Sequence, residues 1–340
     1  MAVLVVNAGS TSLKLNLVDG DRATVVESFE VECEAVAHRV VHGGEALVGK
    51  AAWLVDDGVE AALELATPIA PLHNEPMLRA LRDARAAQPD VPHAAVMDSY
   101  FHHTIPIVAA VYALPPRFHQ EGQIVRYGFH GLSVQWAAER IRVPRLVVCH
   151  LGGGCSITAV RDGRSVDTTM GFTPLEGVPM ATRSGSVDPG ALLYLLRTGR
   201  ETVESLDHTL EHESGLLGLS GISGDVRELE HSRDPNALVA LEVFEYRVAA
   251  AVAAMAAALG GVDALVFTAG VGEHSARVRS VICARLGFLG VELDEKANAE
   301  VQGDAEIALD GSAARVAVVT AREELVAARA TRELLGLESP

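Results

Sequence analysis

The sequence predicts an α/β protein built from two related halves that face each other across a central cleft. Three observations point there. The stretch Val3 to Gly20, VLVVNAGSTSLKLNLVDG, can be laid on the stretch Leu146 to Gly163, with Asn7 opposite His150, Gly9 opposite Gly152 and Asp19-Gly20 opposite Asp162-Gly163; such self-similarity marks a repeated structural unit. Short apolar runs alternate with amphipathic stretches along both halves, the pattern of strands and helices in layered α/β folds. A length of 340 residues suits about two domains.

Val3 to Gly20 reads as an apolar strand, a small-residue bend, an alternating strand and an Asp-Gly turn. Ala35 to Val41 is a strand ending at His42-Gly43-Gly44-Glu45, with Arg39 between apolar neighbours. A buried guanidinium there needs an anionic partner, whereas on an exposed strand face it needs none. After a turn at Thr67-Pro68 and a polar-apolar boundary at Ala70 to Asn74, an amphipathic helix runs from Glu75 to Ala87. A strand from Ala94 to Met97 then ends on Asp98. An acid at that end of a strand is placed for chemistry in open α/β sheets, or equally to cap a helix. Arg126 to Gly131 is a glycine-flanked loop before a helix at Leu132 to Ile141; the glycines suit a backbone shaped to present His130, although a capping role is also open.

The densest chemistry lies between Val147 and Gly190. An apolar strand breaks at Gly152, Gly153 and Gly154, resumes to Val160 and turns back at Asp162-Gly163. Consecutive glycines let main-chain N–H groups converge on an anion, and they also serve as a plain tight turn. Thr182, Arg183 and Ser184 precede a helix at Ala191 to Thr198, with Ser186 or Asp188 as its N-cap and Pro189 in its first turn. Arg183 beside a glycine hairpin reads as an anion-binding group, against the plainer reading of a solvated charge. Glu201 to Ser214 reads as a solvated helix and loop, and Gly215 to Gly224 as a glycine/serine loop leading into Asp225-Val226-Arg227. Val248 to Leu259 is an Ala-rich helix suited to tight packing on a sheet or another subunit. The strand Ala264 to Thr268 runs into Gly270, Val271, Gly272, Glu273 and His274, a Gly-x-Gly bend suited to a nucleotide, followed by a helix at Ser275 to Leu286. Arg315 to Thr320 is the last strand, and Arg322, Glu323 and Glu324 open the last helix, where acids are ordinary dipole partners.

Composition narrows the function. A hydrophobic share of 49% and a mean hydropathy of +0.22 exclude a disordered chain and hint at a buried subunit interface. A net charge of -17 with no basic arm argues against a nucleic-acid partner. Local positive charge must then be placed wherever an anionic substrate binds. The first apolar run, Ala2 to Val6, is too short for a secretory leader, and the longest, Val248 to Leu259, is well short of the roughly 20 residues that span a bilayer. Cys33, Cys149, Cys155 and Cys283 form no C-x-x-C pair, which argues against zinc and fits a reducing cytoplasm.

Taken together, NAGSTSLKL, HRVVHGGE, PLHN, Asp98 with FHHTIP, RYGFHG, HLGGG, TMGFTPLEG, TRSGSVDPG, FTAGVGEHS and REELVAARAT resemble the acetate kinase family of short-chain acyl kinases, in the family's order and over nearly the whole chain. The resemblance implies the fold shared with sugar kinases, Hsp70 and actin: two duplicated ribonuclease-H-like lobes around a nucleotide cleft, residues 1–143 and 144–340, with the last helix packing back on the first lobe. It further implies a cytoplasmic homodimer acting on a small carboxylate and a nucleotide, with no nucleic acid or membrane partner. Carried over by position, Arg39, Asp98, His130 and Arg183 form the catalytic set, and Val41, Leu72, Phe129 and Pro174 the acyl pocket. Ser10, Ser12, Lys14, His150, Gly152, Gly153 and Gly154 match the phosphate loops. Asp225, Val226, Arg227, Gly270, Val271, Gly272, Glu273 and His274 match the nucleotide segments, and Asn7 and Glu323 the Mg²⁺ site, which Mn²⁺ also suits.

The implied reaction is reversible Mg²⁺-dependent phosphoryl transfer between ATP and a short-chain carboxylate, acetate ahead of propionate, giving acyl phosphate and ADP. Two guanidiniums, an imidazole and a metal ion supply the charge needed to bring anions together, and an already ionised carboxylate needs no base. The chain departs from the family pattern in a shortened segment between Leu17 and His38 and at Gly153, Ala181, Val226, His274 and Arg322. These departures fall mainly on the nucleotide side, so a non-ATP phosphoryl donor and a catalytically weak sensor are the alternatives. Retention of Arg39, Asp98, His130, Arg183 and Glu323 together speaks against the sensor.

Overall fold

The computed structural model describes residues 2–9, 13–120 and 123–337. Its first sheet comprises β1 (Ala2–Ala8), β2 (Leu13–Asp19), β3 (Arg22–Val26), β4 (Ala35–Val40), β5 (Ala52–Leu54) and β6 (His93–Met97), in the order β3-β2-β1-β4-β6-β5. The second comprises β7 (Arg145–Leu151), β8 (Cys155–Arg161), β9 (Arg164–Thr168), β10 (Ala264–Thr268), β11 (Ala305–Glu306) and β12 (Arg315–Val318), in the order β9-β8-β7-β10-β12-β11. In each, three central strands run parallel and the outer strands antiparallel. The two sheets are copies of one plan, which is the duplication that the hairpin repeat predicted.

The repeat itself needs one adjustment. The β1–β2 loop is one residue longer than the β7–β8 loop, so the residue-for-residue overlay holds on the first strand of each hairpin and slips by one on the second. Gly20-Asp21, not Asp19-Gly20, stands opposite Asp162-Gly163. Since side chains alternate faces along a strand, a one-residue loop difference is what keeps the apolar face of each second strand inward.

Two helices carry the active-site chain from one sheet to the other. The Gly131–Arg140 helix follows the first sheet in sequence but packs Val134, Ala137 and Ala138 against Leu146, Val148, Ala264 and Val266 of the second. The Glu323–Leu334 helix does the reverse, seating Val326, Ala327 and Ala328 on Val3, Val5, Ala37 and Val96 of the first. The Pro235–Leu259 helix buries Ala237, Leu241, Phe244, Val248, Val252 and Met255 at helical spacing in the core beneath the second sheet. It starts well before the Val248 expected from composition. Asp234 caps it by accepting from Asn236 N, Pro235 sits at N1, and the buried Glu245 accepts from Arg277 Nε at 3.2 Å.

Three other expectations are corrected. The helix expected from Glu75 begins at Pro71: proline at N1 gives up no intrahelical bond, and Pro76 costs only the bond to the Leu72 carbonyl. Gly215 to Gly224 is not a loop throughout, because Gly215–Ser220 is helical, buries Leu216 and ends at Gly221 in the left-handed region. Likewise the Gly-x-Gly bend is a helix, Ala269–His274, entered through Ala269 at φ 65°. Glycine content concealed both helices, and tertiary packing overrides that weak local signal.

Candidate active site

The candidate site lies where β1, β4, β6 and β7 end. Arg39 is the penultimate residue of β4 and Asp98 directly follows β6. Their strands pair in parallel, which brings the two side chains to one edge. Asp98 is fully buried, and its Oδ2 accepts from Arg39 Nη2 at 2.7 Å and from the His130 backbone N–H at 2.9 Å. The second bond fixes His130 in the left-handed region, φ 59°. Gly131 is required next to it, since a Cβ there would stand 2.2 Å from the Asp98 carbonyl oxygen. One carboxylate thus orients both an arginine and a histidine.

His130 stacks on His150, with ring centres 3.9 Å apart, and each is anchored by a serine: His130 Nδ1 to Ser156 Oγ at 3.0 Å, His150 Nδ1 to Ser133 Oγ at 2.9 Å. Burial pushes both imidazoles below their ordinary range; for His130 the proximity of His150, Arg39 and Arg183 adds to it, and the shift is large. His130 is therefore a neutral hydrogen-bonding group at neutral pH. Arg183 comes from the loop before the Pro189–Arg197 helix, capped by Asp188. Its Nη1 donates to the Pro174 carbonyl at 2.9 Å, and burial disfavours its charge, partly offset by Glu211. Arg39 also loses solvation, but Asp98 and Glu323 more than offset that and raise its pKa.

Three connected cavities meet here. One of about 600 Å³ gathers Arg39, Val41, Leu72, Asp98, Phe129 and His130 with Pro174, Arg183 and Gly154. A second, about 460 Å³, holds Asn7, Lys14, His150, Gly152, Glu273 and Glu323, and Arg39 reaches it as well. A third, about 470 Å³, is lined by Asp225, Val226, Arg227, Gly270, Val271 and His274. Gly153 lines all three. Gly272 is the exception among the expected contacts: it lines none of them and packs beneath its helix near Phe267 and Cys149. The Asp225 carboxylate is turned back onto the Arg227 N–H and guanidinium, capping the Val226–His231 helix. Ser10 and Ser12 lie outside the described residues. A larger cavity of about 820 Å³, lined by Phe101, Arg142 and Leu146 among others, contains none of the expected site residues.

The second cavity offers hard oxygen donors at one point. Asn7 Nδ2 lies 3.4 Å from Glu323 Oε2, and Arg39 Nε, which has no hydrogen-bond partner among the described residues, faces that carboxylate at 3.6 Å. Among the described residues no cluster of three His, Cys, Asp or Glu side chains could hold a metal ion unaided. That donor set does not make a dedicated cage, and it fits an ion held chiefly by phosphate oxygens and water.

Sequence reasoning missed His73, Ser133, Ser156 and Glu211. His73 lines the largest of the three connected cavities, and burial together with Arg183 and Arg39 brings it down to about 3. It fell in a stretch read only as a helix boundary. The two serines are buried polar residues that anchor the histidines, and in β8 the signal was available: Ser156 and Thr158 are fully buried in a strand of otherwise apolar neighbours.

The Acetokinase family model matches residues 22–329. The chain is 46% identical over 325 residues to an acetate kinase of Gloeobacter violaceus, covering 92% of this chain and 79% of the relative, and 42% identical over 330 residues to one of Nostoc punctiforme, covering 94% and 80%. Among solved structures it is similar to a propionate kinase of Francisella tularensis, with TM-score 0.89, 31% identity and coverage of 97% and 98%. An acetate kinase of Porphyromonas gingivalis gives TM-score 0.85, 32% identity and coverage of 98% and 99%.

Proposed function

Because the chain belongs to the acetokinase family, we propose that it moves the γ-phosphoryl group of ATP reversibly to the carboxylate of a short-chain acid, acetate ahead of propionate, giving an acyl phosphate and ADP. The observation that carries this reading is the convergence of Arg39, Asp98, His130 and Arg183 on one cavity that opens at the Gly152 to Gly154 turn into the other two.

In this reading the acid's methyl or ethyl group lies against Val41, Leu72, Phe129 and Pro174, and its carboxylate faces Arg39 and Arg183. A carboxylate oxygen forms the new bond to phosphorus as the bond from phosphorus to the ADP oxygen breaks, and no proton is transferred. Negative oxygens crowd together in the transition state, so positioning and charge dominate the barrier. His130 Nδ1 pairs with the Ser156 hydroxyl, and in the tautomer where that hydroxyl donates, His130 carries its proton on Nε2 and donates to the phosphoryl group without adding charge. Asp98 holds Arg39 and the His130 backbone and is a positioning residue. Asn7 and Glu323 would hold Mg²⁺, which neutralises the phosphate oxygens when bound. The nucleotide occupies the cavity between Asp225 to Arg227 and Gly270 to His274, with Lys14 and His150 on the phosphate side. Residues 1–143 and 144–340 act as the two lobes, and the chain works as a cytoplasmic homodimer. Exposed Tyr194, Leu238 and Val239 support a covered face.

The test is hydroxamate trapping with Mg-ATP and acetate, propionate or butyrate, run on the parent chain and on Arg183→Ala. The parent yields acyl phosphate and the variant loses roughly a hundredfold or more in turnover while staying folded. Near-normal turnover by Arg183→Ala would sink the clamp, and no product with any acid from a parent that binds nucleotide would sink the kinase reading.

A further inference from the structure

Positive charge is also concentrated away from the active site. Five of the ten residues around a separate cavity of about 550 Å³ are arginines: Arg22 at the start of β3, Arg140 at the end of the Gly131–Arg140 helix and Arg142 just past it, Arg322 at the N-cap of the last helix and Arg329 in its middle. The acids in the lining are Asp21 and Glu139. Glu139 is engaged by Arg329 at 2.6 Å, Arg140 reaches Asp304 at 3.7 Å, and Arg322 reaches Glu324 at 3.8 Å. Among the described residues Arg22 and Arg142 have no carboxylate within 4.0 Å. Arg142 Nε donates to the Glu139 carbonyl. Even with Asp304 and Glu324 included, the arginines outnumber the acids, in a chain whose net charge is -17.

The cavity also has a fixed wall. The Arg140 guanidinium lies over the Trp136 ring, 4.7 Å from its centre, which holds the guanidinium plane and leaves its edge N–H groups for an oxyanion. The unpaired Arg22 and Arg142 guanidiniums, with the edge N–H groups of Arg140 beside them, match a ligand that carries more than one anionic group.

We propose that this cavity binds a compact anion with two or more negative charges, carried on phosphoryl or carboxylate groups. Its position makes it a regulatory site: Arg140 and Arg329 lie on, and Arg142 and Arg322 directly flank, the two helices that begin next to His130 and at Glu323, so a ligand bridging them bears on both ends of the active site. The binding itself does not depend on the phosphotransfer reading.

Trp136 is one of two tryptophans, the other being Trp53, so in a Trp53→Phe chain its emission reports on this cavity alone. Sodium tripolyphosphate and citrate are titrated in separate arms, without Mg²⁺ and at low ionic strength, against the parent, Arg140→Ala with Arg329→Ala, and Arg22→Glu. A saturable change in Trp136 emission is expected, weakened roughly tenfold or more in the double variant and reduced in Arg22→Glu, and suppressed by added salt. A response to tripolyphosphate alone assigns phosphoryl groups, and a response to both assigns charge as the determinant. Arg22→Glu alters an exposed position outside both helices and keeps the test valid if the double variant unfolds. No saturable change with either anion at millimolar concentration, or equal affinity in parent and variants, would overturn the proposal.

Discussion

Replacing Gly154 by alanine probes how closely the site is fitted. A Cβ at this position would stand 2.7 Å from Arg183 Nη2 and 3.2 Å from His130 Nε2, against an ordinary contact of about 3.4 Å, so the guanidinium must retreat by roughly 0.7 Å. The obstructing atom is the tip of a flexible side chain, which leaves the backbone undisturbed. Its retreat strains the bond to the Pro174 carbonyl. Misplacements near 1 Å cost about a hundredfold in rate, so kcat/KM should fall by roughly ten- to a hundredfold, about 1.4 to 2.7 kcal/mol of transition-state stabilisation. Acyl phosphate trapped as hydroxamate measures the loss, and thermal unfolding checks that stability changes little. The double variant Gly154→Ala with Arg183→Ala isolates the cause. If the methyl group acts by displacing Arg183, it costs nothing further once Arg183 is gone. Additive losses, or full activity in Gly154→Ala alone, would refute the reasoning.

The neighbouring glycine should behave in the opposite way. Among the described residues nothing lies within 4 Å of a Cβ at Gly153, which lines all three connected cavities. Gly153→Asn is therefore expected to fold normally and to lower the KM for ATP by roughly three- to tenfold, the worth of one added hydrogen bond; steady-state kinetics decide, and an unchanged KM would mean that the amide does not reach a phosphate. Stability should fall in mild acid. Burial brings His38 down to about 3 and His102 to about 4, so the folded chain takes up these protons less readily than the unfolded one. Their contribution is complete above the unfolded value near 6.5 and erodes as pH falls toward the folded values. At pH 5.5 the two together should cost roughly 3 kcal/mol. Urea midpoints at pH 7.5 and 5.5 measure this, and a chain equally stable at both would contradict it.

The sequence carried the sheets more clearly than the helices. Parallel strands buried on both faces must be continuously apolar, so β6 and β10 stand out from their neighbours, and the duplicated hairpin identified their arrangement. Helices rich in glycine and the start of the long helix were concealed, because Gly215–Ser220, Ala269–His274 and the first turns of Pro235–Leu259 are held by packing and caps more than by propensity. Within the site, Arg39 could be read either as a surface charge or as a buried group wanting a partner. Only the parallel pairing of β4 with β6 reveals that Asp98 is that partner. Pairings between residues distant in sequence, such as Ser156 with His130 and Glu323 with Arg39, leave no local trace, which is why Ser156 went unnoticed and Glu323 read as a dipole partner.

The electrostatic arrangement explains why the site uses two arginines and a neutral histidine in place of three cations. Arg39 already faces Asp98 and Glu323, so part of its charge is spoken for before any substrate arrives, and it is held in one orientation. Among the described residues Arg183 has no ion pair, and its Nη1 donates to the Pro174 carbonyl. A protonated His130 between them would have to share a buried volume with both guanidiniums, and burial with that repulsion keeps it neutral. An oriented N–H donor still strengthens as charge accumulates on a phosphoryl oxygen. A fixed third cation would bind the acyl phosphate product as tightly as the transition state, and uniform binding of that kind lowers KM without raising turnover. For a transfer that must run in both directions, one anchored guanidinium, one adjustable guanidinium and one neutral donor stabilise the crossing without trapping either end.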